Sequence, residues 1–145
     1  MQGQPSEISE GSLCNCRALR QASRHVSQIY DAHLAPHGLR ASQYSVLHTL
    51  DRLGPVSIKD LAKAMVMDRT TLGRALGPLE RDGLLVVGAG GDARTRSLRL
   101  TPDGKARLTA AATGWQQAQT AFESAFGRED ASELRSVLRR VVATT

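Results

Sequence analysis

Two clusters of side chains in this sequence carry chemistry suited to an ordered, anionic partner. The first is Arg69-Thr70-Thr71 with Arg74, set directly after Asp68. A guanidinium forks onto guanine, a threonine meets a thymine methyl or a phosphate, and the free N–H groups at a helix start attract phosphate. Alone, this segment also reads as two packed helices with a solvated polar start. The second cluster decides between them. After the turn-rich stretch Gly88-Ala89-Gly90-Gly91-Asp92 come Arg94, Arg96 and Arg99, and a narrow loop bearing arginine is shaped to enter a minor groove, where negative potential is strongest. Together the clusters describe a surface that reads duplex DNA.

The elements that must position these groups follow from periodicity. Ser57-Ile58-Lys59-Asp60 resembles a capping box and opens a short helix carrying Leu61, Ala62 and Met65. Val66-Met67 turns the chain, and Asp68 caps a second helix from Arg69 to about Asp82, closed by Gly83. This is the helix-turn-helix layout, whose second helix presents its N-terminal residues to base edges. Pro78 inside that helix predicts a kink, with Gly73 and Gly77 weakening it further. Leu84 to Val87 and Ser97 to Leu100 read as the strands of a β-hairpin, which makes a wing with the arginines at its tip.

Helices flank this lobe. Apolar residues recur every three to four positions from Leu13 to about Leu34, before Pro36 and Gly38 stop the pattern. A helix follows from Ser42 as N-cap to Gly54-Pro55. Thr101-Pro102-Asp103-Gly104 starts a long helix ending at Gly127, and the last runs from about Glu129 to Val142 with Leu134, Val137, Leu138, Val141 and Val142 on one face. Terminal apolar stripes of this kind need a partner, and a second copy of the chain is the natural one. The expected fold is mainly α with a small β-hairpin wing, a winged helix-turn-helix. The expected division is a tail over 1–12, one domain over 13–145, a DNA-binding lobe over 42–101, and dimerisation helices over 13–36 and 103–145.

Composition agrees with an anionic partner: 19 Lys and Arg against 14 Asp and Glu give a formal charge of +5. No apolar run approaches the roughly 18 residues a bilayer requires, and the polar first dozen residues lack the pattern of a secretory signal. A cytoplasmic protein with no membrane association is expected. Nucleophile elbows, Walker loops and His-Glu-x-x-His are absent from the sequence. Gly88 to Gly91 leads into a strand, so it lacks the helix dipole of a phosphate cradle. An enzyme is not expected, nor a cofactor. No metal site is expected either: His33 and His37 are separated by Pro36, and Cys14 and Cys16 diverge on a helix. A protein-interaction module without DNA binding remains the distant alternative, which leaves the hairpin arginines without a role.

The stretch Asp92-Ala93-Arg94-Thr95-Arg96-Ser97-Leu98-Arg99-Leu100-Thr101 resembles the wing signature of the MarR (multiple antibiotic resistance regulator) family, and Asp68 to Arg74 with Leu79-Glu80-Arg81-Asp82-Gly83-Leu84 resembles its recognition helix. The likeness runs from Leu13 onward. It implies a homodimeric transcription regulator, a repressor or an activator, on a pseudo-palindromic operator, with Arg94 as minor-groove contact and Asp92 orienting it. It also implies a small, often aromatic and anionic effector bound between the dimer helices and the DNA lobe, for which Arg24, Tyr30, His33 and Tyr44 are the candidates. In the family's peroxide-sensing branch the reactive cysteine falls at Cys16 and one tyrosine that hydrogen-bonds it at Tyr30, with Ala41 where a second tyrosine is expected and Arg20 in place of a further aromatic. Cys14 is the companion thiol. The bland reading of Cys16 is a small buried hydrophobe.

Overall fold

The chain folds, in a computed structural model that describes residues 13–89 and 96–144, as six helices around a three-stranded sheet. Helix α1 (Asn15–Leu34) begins where Cys14 leaves extended backbone and its Sγ accepts the Arg17 N–H at 3.4 Å. A 3₁₀ turn over Ala35–His37 and a left-handed Gly38, φ 71°, reverse the chain. Helix α2 (Ala41–Leu53) has Arg40 at its N-cap, two residues before the Ser42 cap that the sequence suggests. Its first N–H groups are taken by side chains other than Ser42: Gln43 Oε1 accepts from Arg40 N–H at 2.9 Å, and Asp31 Oδ1 on α1 accepts from Ala41 N–H at 2.7 Å.

Strand β1 (Val56–Ser57) leads into α3 (Ile58–Met65), where Ser57 Oγ accepts the Asp60 N–H at 3.1 Å as the capping pattern predicted. Val66 then takes a left-handed φ of 54°, the only positive φ among the described non-glycine residues. A β-branched residue holds that conformation only where its surroundings enforce it, and here it makes the tight turn into α4 (Arg69–Arg81). Helix α4 buries Leu72, Leu76 and Leu79 and runs through Pro78 to Arg81, so the proline does not end it.

Strands β2 (Leu85–Ala89) and β3 (Arg96–Leu100) form the expected antiparallel hairpin, Leu85 opposite Leu100 and Val87 opposite Leu98. Two corrections follow. Residues Val56 and Ser57 pair with Leu98 and Ser97, so the sheet has order β1-β3-β2; a two-residue strand is too short to leave a periodic signal. Arg96 and Arg99, read as tip residues, are in β3, with Arg99 opposite Val86. Asp92 and Arg94 lie outside the described residues, as do residues 1–12 expected to form a tail.

Helix α5 (Pro102–Phe126) is capped as predicted, Thr101 Oγ1 accepting the Gly104 N–H at 3.0 Å while its hydroxyl donates to Gly83 O. Gly127, φ 106°, separates it from α6 (Arg128–Val142). The core is built mainly of leucine: Leu34, Leu47, Leu50, Leu61, Leu72, Leu79, Leu84, Leu85 and Leu98 are essentially removed from solvent. Each contributes about 1.5–3 kcal/mol, and because they come from α1 to α4 and the sheet, they fix α4 against the wing. Two glycines allow close helix approaches: a Cβ at Gly104 would lie 1.9 Å from Leu84 O, and one at Gly114 would lie 2.4 Å from His33 O.

Candidate nucleic-acid interface

With Leu72, Leu76 and Leu79 turned inward, Arg69, Thr70, Thr71 and Arg74 of α4 are all exposed. Thr70, Arg74 and Arg81, at i, i+4 and i+11, share the face opposite the buried leucines. Thr71 is already engaged: Asp68 Oδ1 accepts its N–H at 2.8 Å and Asp68 Oδ2 accepts its hydroxyl at 2.7 Å. Those bonds hold the Asp68 carboxyl below its ordinary value, and they leave the Thr71 oxygen only as an acceptor. Arg69, Thr70 and Arg74 are the side chains of this set not shown turned back onto Asp68. Arg96, exposed, opens β3. The sequence reading passed over Lys59 and Lys63 of α3, exposed and one turn apart opposite the buried Leu61 and Ala62. Their spacing was the available signal, and they add positive charge to the same lobe.

Between α1, α2 and α5 lies an aromatic cleft of about 230 Å³ lined by Tyr30, Leu34, Ala41, Tyr44, Ser45, His48 and Trp115. Tyr44 stacks on His48 with ring centroids 6.1 Å apart and on Trp115 at 6.5 Å, the planes within 8° and 12° of parallel, inside the range of favourable offset stacking. Of the four expected effector residues, Tyr30 and Tyr44 meet here. Arg24 is exposed on α1 and does not line the cleft, and His33 directs Nδ1 to Ile29 O at 2.9 Å. His48 and Trp115 were missed; the i, i+4 spacing of Tyr44 and His48 hinted at the first, but only the packing of α5 brings in the second. Burial raises the Tyr44 hydroxyl above its ordinary pKa, and burial, then the Glu123 carboxylate, raises that of Tyr30.

The Tyr30 hydroxyl donates to Gln119 Oε1. Gln119 and Tyr30 also line a second, larger hollow of about 600 Å³ between α1, α5 and α6, walled by Leu19, Val26, Phe122, Leu134, Leu138 and Val142 among others. Arg135 on its rim pairs with Glu123 at 3.3 Å. The expected apolar face is thus present and open to solvent, with Leu19, Val137, Leu138, Val141 and Val142 all exposed.

Both thiols are exposed, so Cys16 is not the buried hydrophobe of the bland reading, and it is Cys14 that caps α1. Cys16 and Tyr30 are fourteen residues apart on one helix, about 21 Å at helical rise. One chain does not bring them together. Among the described residues no helix is long and apolar enough to cross a membrane, and no three ligating side chains gather as for a metal.

Comparison with known proteins places these features. Residues 37–95 match the model of the MarR family. The HTH-type transcriptional regulator YwoH of Bacillus subtilis is 29% identical over 85 residues, a match spanning 59% of this chain and 62% of that relative. The transcriptional regulator MosR of M. tuberculosis, solved in complex with DNA, is 34% identical, with a TM-score of 0.74 over 88% of this chain and 98% of that one. The transcriptional repressor CouR bound to a 23-mer DNA duplex superposes with a TM-score of 0.82 at 26% identity, covering 96% of this chain and 99% of that one. CouR bound to p-coumaroyl-CoA superposes at 0.84 with 25% identity, covering 97% and 99%.

Proposed function

This chain belongs to the MarR family of DNA-binding transcription regulators, and we propose that it is a homodimeric repressor released from a pseudo-palindromic operator by a small aromatic ligand. The observation that carries the DNA-reading assignment is the outward face of α4: Thr70, Arg74 and the adjacent Arg69 stand exposed on a helix whose start is capped and whose back is clamped by three buried leucines. Residues 42–101 form the reading lobe. Its wing, with Arg94 at the minor groove, Asp92 orienting it and Arg96 behind, clamps the flank of each half-site.

The second copy is the occupant proposed for the hollow between α1, α5 and α6, so that residues 13–36 and 103–145 make the dimer. Exposed Leu19, Leu138, Val141 and Val142 support this, because isologous contact buries each of them twice. A dimer places its two recognition helices about one helical turn of DNA apart. The aromatic cleft is the proposed effector site, and the p-coumaroyl-CoA complex of CouR is a precedent for an aryl ligand in a similar fold. Because Tyr30 borders both cleft and hollow, a ligand that prefers one position of α1 against α5 also biases the spacing of the two lobes, and the population shifts away from the DNA-matching state.

The test is a set of arginine variants titrated on a duplex selected by the wild-type protein from a randomised library. Arg69→Ala and Arg74→Ala each cost about 1–3 kcal/mol on that duplex and relax base preference. Arg94→Ala weakens binding to selected and unrelated duplexes alike. Unchanged affinity of Arg94→Ala at near-physiological salt refutes the wing assignment.

One observation favours a second reading, a thiol-based switch. Cys14 Sγ is the acceptor that starts α1, and Cys16 is exposed two residues on, so oxidation there alters the end of a proposed dimer helix.

A further inference from the structure

The lining of the aromatic cleft defines a ligand more narrowly than the family resemblance does. Among the described residues no lysine or arginine lines it. Arg24, the cation expected to meet an anionic effector, lies outside the lining, and Arg135, beyond Tyr30, is paired with Glu123. What the cleft offers is the ring ladder of His48, Tyr44 and Trp115, the aliphatic surface of Leu34 and Ala41, and the hydroxyls of Tyr30 and Ser45.

The ring faces, the aliphatic surface and the Tyr30 oxygen disfavour a carboxylate, and the polar Ser45 and His48 are exposed at the cleft's open side. Ring faces carry the negative lobe of the aromatic quadrupole, and an anion stripped of water without a charged partner loses far more than an uncharged ring. The Tyr30 hydroxyl has already given its hydrogen to Gln119, so only its lone pairs are left to face the cleft. A lone pair receives a hydrogen bond from a phenol and repels a carboxylate. The size is that of one ring with a short substituent: about 150 Å³ suffices for benzene, against about 230 Å³ here.

We infer that this cleft takes an uncharged planar aromatic molecule carrying a hydrogen-bond donor, such as a phenol or a hydroxyaryl ester, in preference to an aromatic carboxylate. The inference rests on the effector reading above.

Trp115 is the only tryptophan in the chain, so its fluorescence reports occupancy of the cleft directly. The matched probes are methyl 4-hydroxybenzoate and 4-hydroxybenzoate, the same phenol with an uncharged and an anionic substituent, titrated at neutral pH into the full-length protein. The ester is expected to perturb Trp115 saturably with a Kd lower than the acid's by at least about tenfold. His48→Arg, at an exposed position on the cleft rim, supplies the missing cation and is expected to bring the two affinities together. Equal or tighter binding of the acid to the wild type overturns the charge preference and leaves the cleft as an effector site. No saturable change with either probe overturns both. An ester that binds as expected and leaves DNA bound keeps this inference and removes the release mechanism.

Discussion

Alanine in place of Gly114 and in place of Gly73 is the same chemical change with opposite expected signs. At Gly114 a Cβ falls 2.4 Å from His33 O and 3.1 Å from His37 Cδ2. An ordinary carbon–oxygen contact is about 3.3–3.6 Å, so α1 and α5 must separate by about 1 Å at their crossing. The obstructing atom is backbone, which does not swing aside as a side chain would. Overpacking costs about 1–3 kcal/mol, and an obstruction by backbone takes the upper part of that range, about 2–3 kcal/mol; against about 1 kcal/mol gained by replacing a helical glycine, a net loss of about 1–2 kcal/mol follows. At Gly73 nothing lies within 4 Å of the added atom, so the gain of about 0.5–1 kcal/mol stands alone. The two variants differ by about 2–3 kcal/mol, or about 8 °C in Tm for a chain of this size. Thermal unfolding followed by circular dichroism, at one fixed protomer concentration because a dimer's Tm depends on it, measures this directly. A Gly114→Ala protein as stable as the wild type refutes the account of the α1–α5 crossing.

Three further perturbations test separate parts of the reading. Leu138→Asp on α6, a position 36% exposed in the single chain, removes an apolar contact that a symmetric interface makes twice, about 1–2 kcal/mol in all, and adds two carboxylates that the interface must strip of water; light scattering is expected to find monomers, and an unaltered dimer places the interface elsewhere. Asp68 has a depressed pKa in the fold, so its contribution is present above the ordinary carboxylate value of about 3.8 and is lost as pH falls through the depressed value. Asp68→Ser keeps a cap that does not titrate, and its acid unfolding midpoint is expected to lie at lower pH than expected from wild type once the two are matched at neutral pH; coincident acid transitions show that the cap does not contribute. For the thiol reading, organic peroxide is expected to release DNA from the wild type and not from Cys16→Ser, with Cys14→Ser as the companion; normal release from Cys16→Ser eliminates that cysteine as the sensor.

What was legible in the sequence was whatever is encoded within about one helical turn. Ser57, Asp68 and Thr101 announced their helices because a cap and its N–H acceptor are three residues apart. The leucines of α4 announced its inner face by their spacing, and the exposed arginines then followed by exclusion. What escaped depended on partners distant in the chain. The start of α2 is set by Asp31, ten residues away. Strand β1 exists only because β3, forty residues later, has an edge free to pair with it. The cleft drew two residues from local expectation and lost two: Arg24 and His33 are on the correct helix, but which side of α1 faces α2 is decided by the packing of α5, and that same packing supplies Trp115. The family resemblance pointed to an anionic effector between the dimer helices and the DNA lobe, whereas the cleft found there is lined, among the described residues, without a lysine or arginine.

Helix α5 explains how one element serves all three surfaces. Its first turn is locked to the exit of the recognition helix, through the Thr101 hydroxyl on Gly83 O and the close seat of Gly104 on Leu84. Lys105 adds an ion pair to Asp51 of α2 at 2.8 Å, exposed enough to contribute little by itself. Trp115, near its middle, faces the cleft, and Gln119 and Phe122 face the hollow. From Trp115 back to Pro102 is thirteen residues, about 20 Å at helical rise. A rigid tilt of about 5° at the cleft therefore displaces the first turn by about 2 Å at that rise, and the lobe attached to it moves as well. In the dimer proposed above the displacement between the recognition helices is doubled, so that a proposed ligand no larger than one aromatic ring has the leverage to spoil the match to successive major grooves, provided α5 stays stiff between its two ends. The close backbone contact at Gly114, one residue from Trp115, puts the pivot of that lever at the cleft itself.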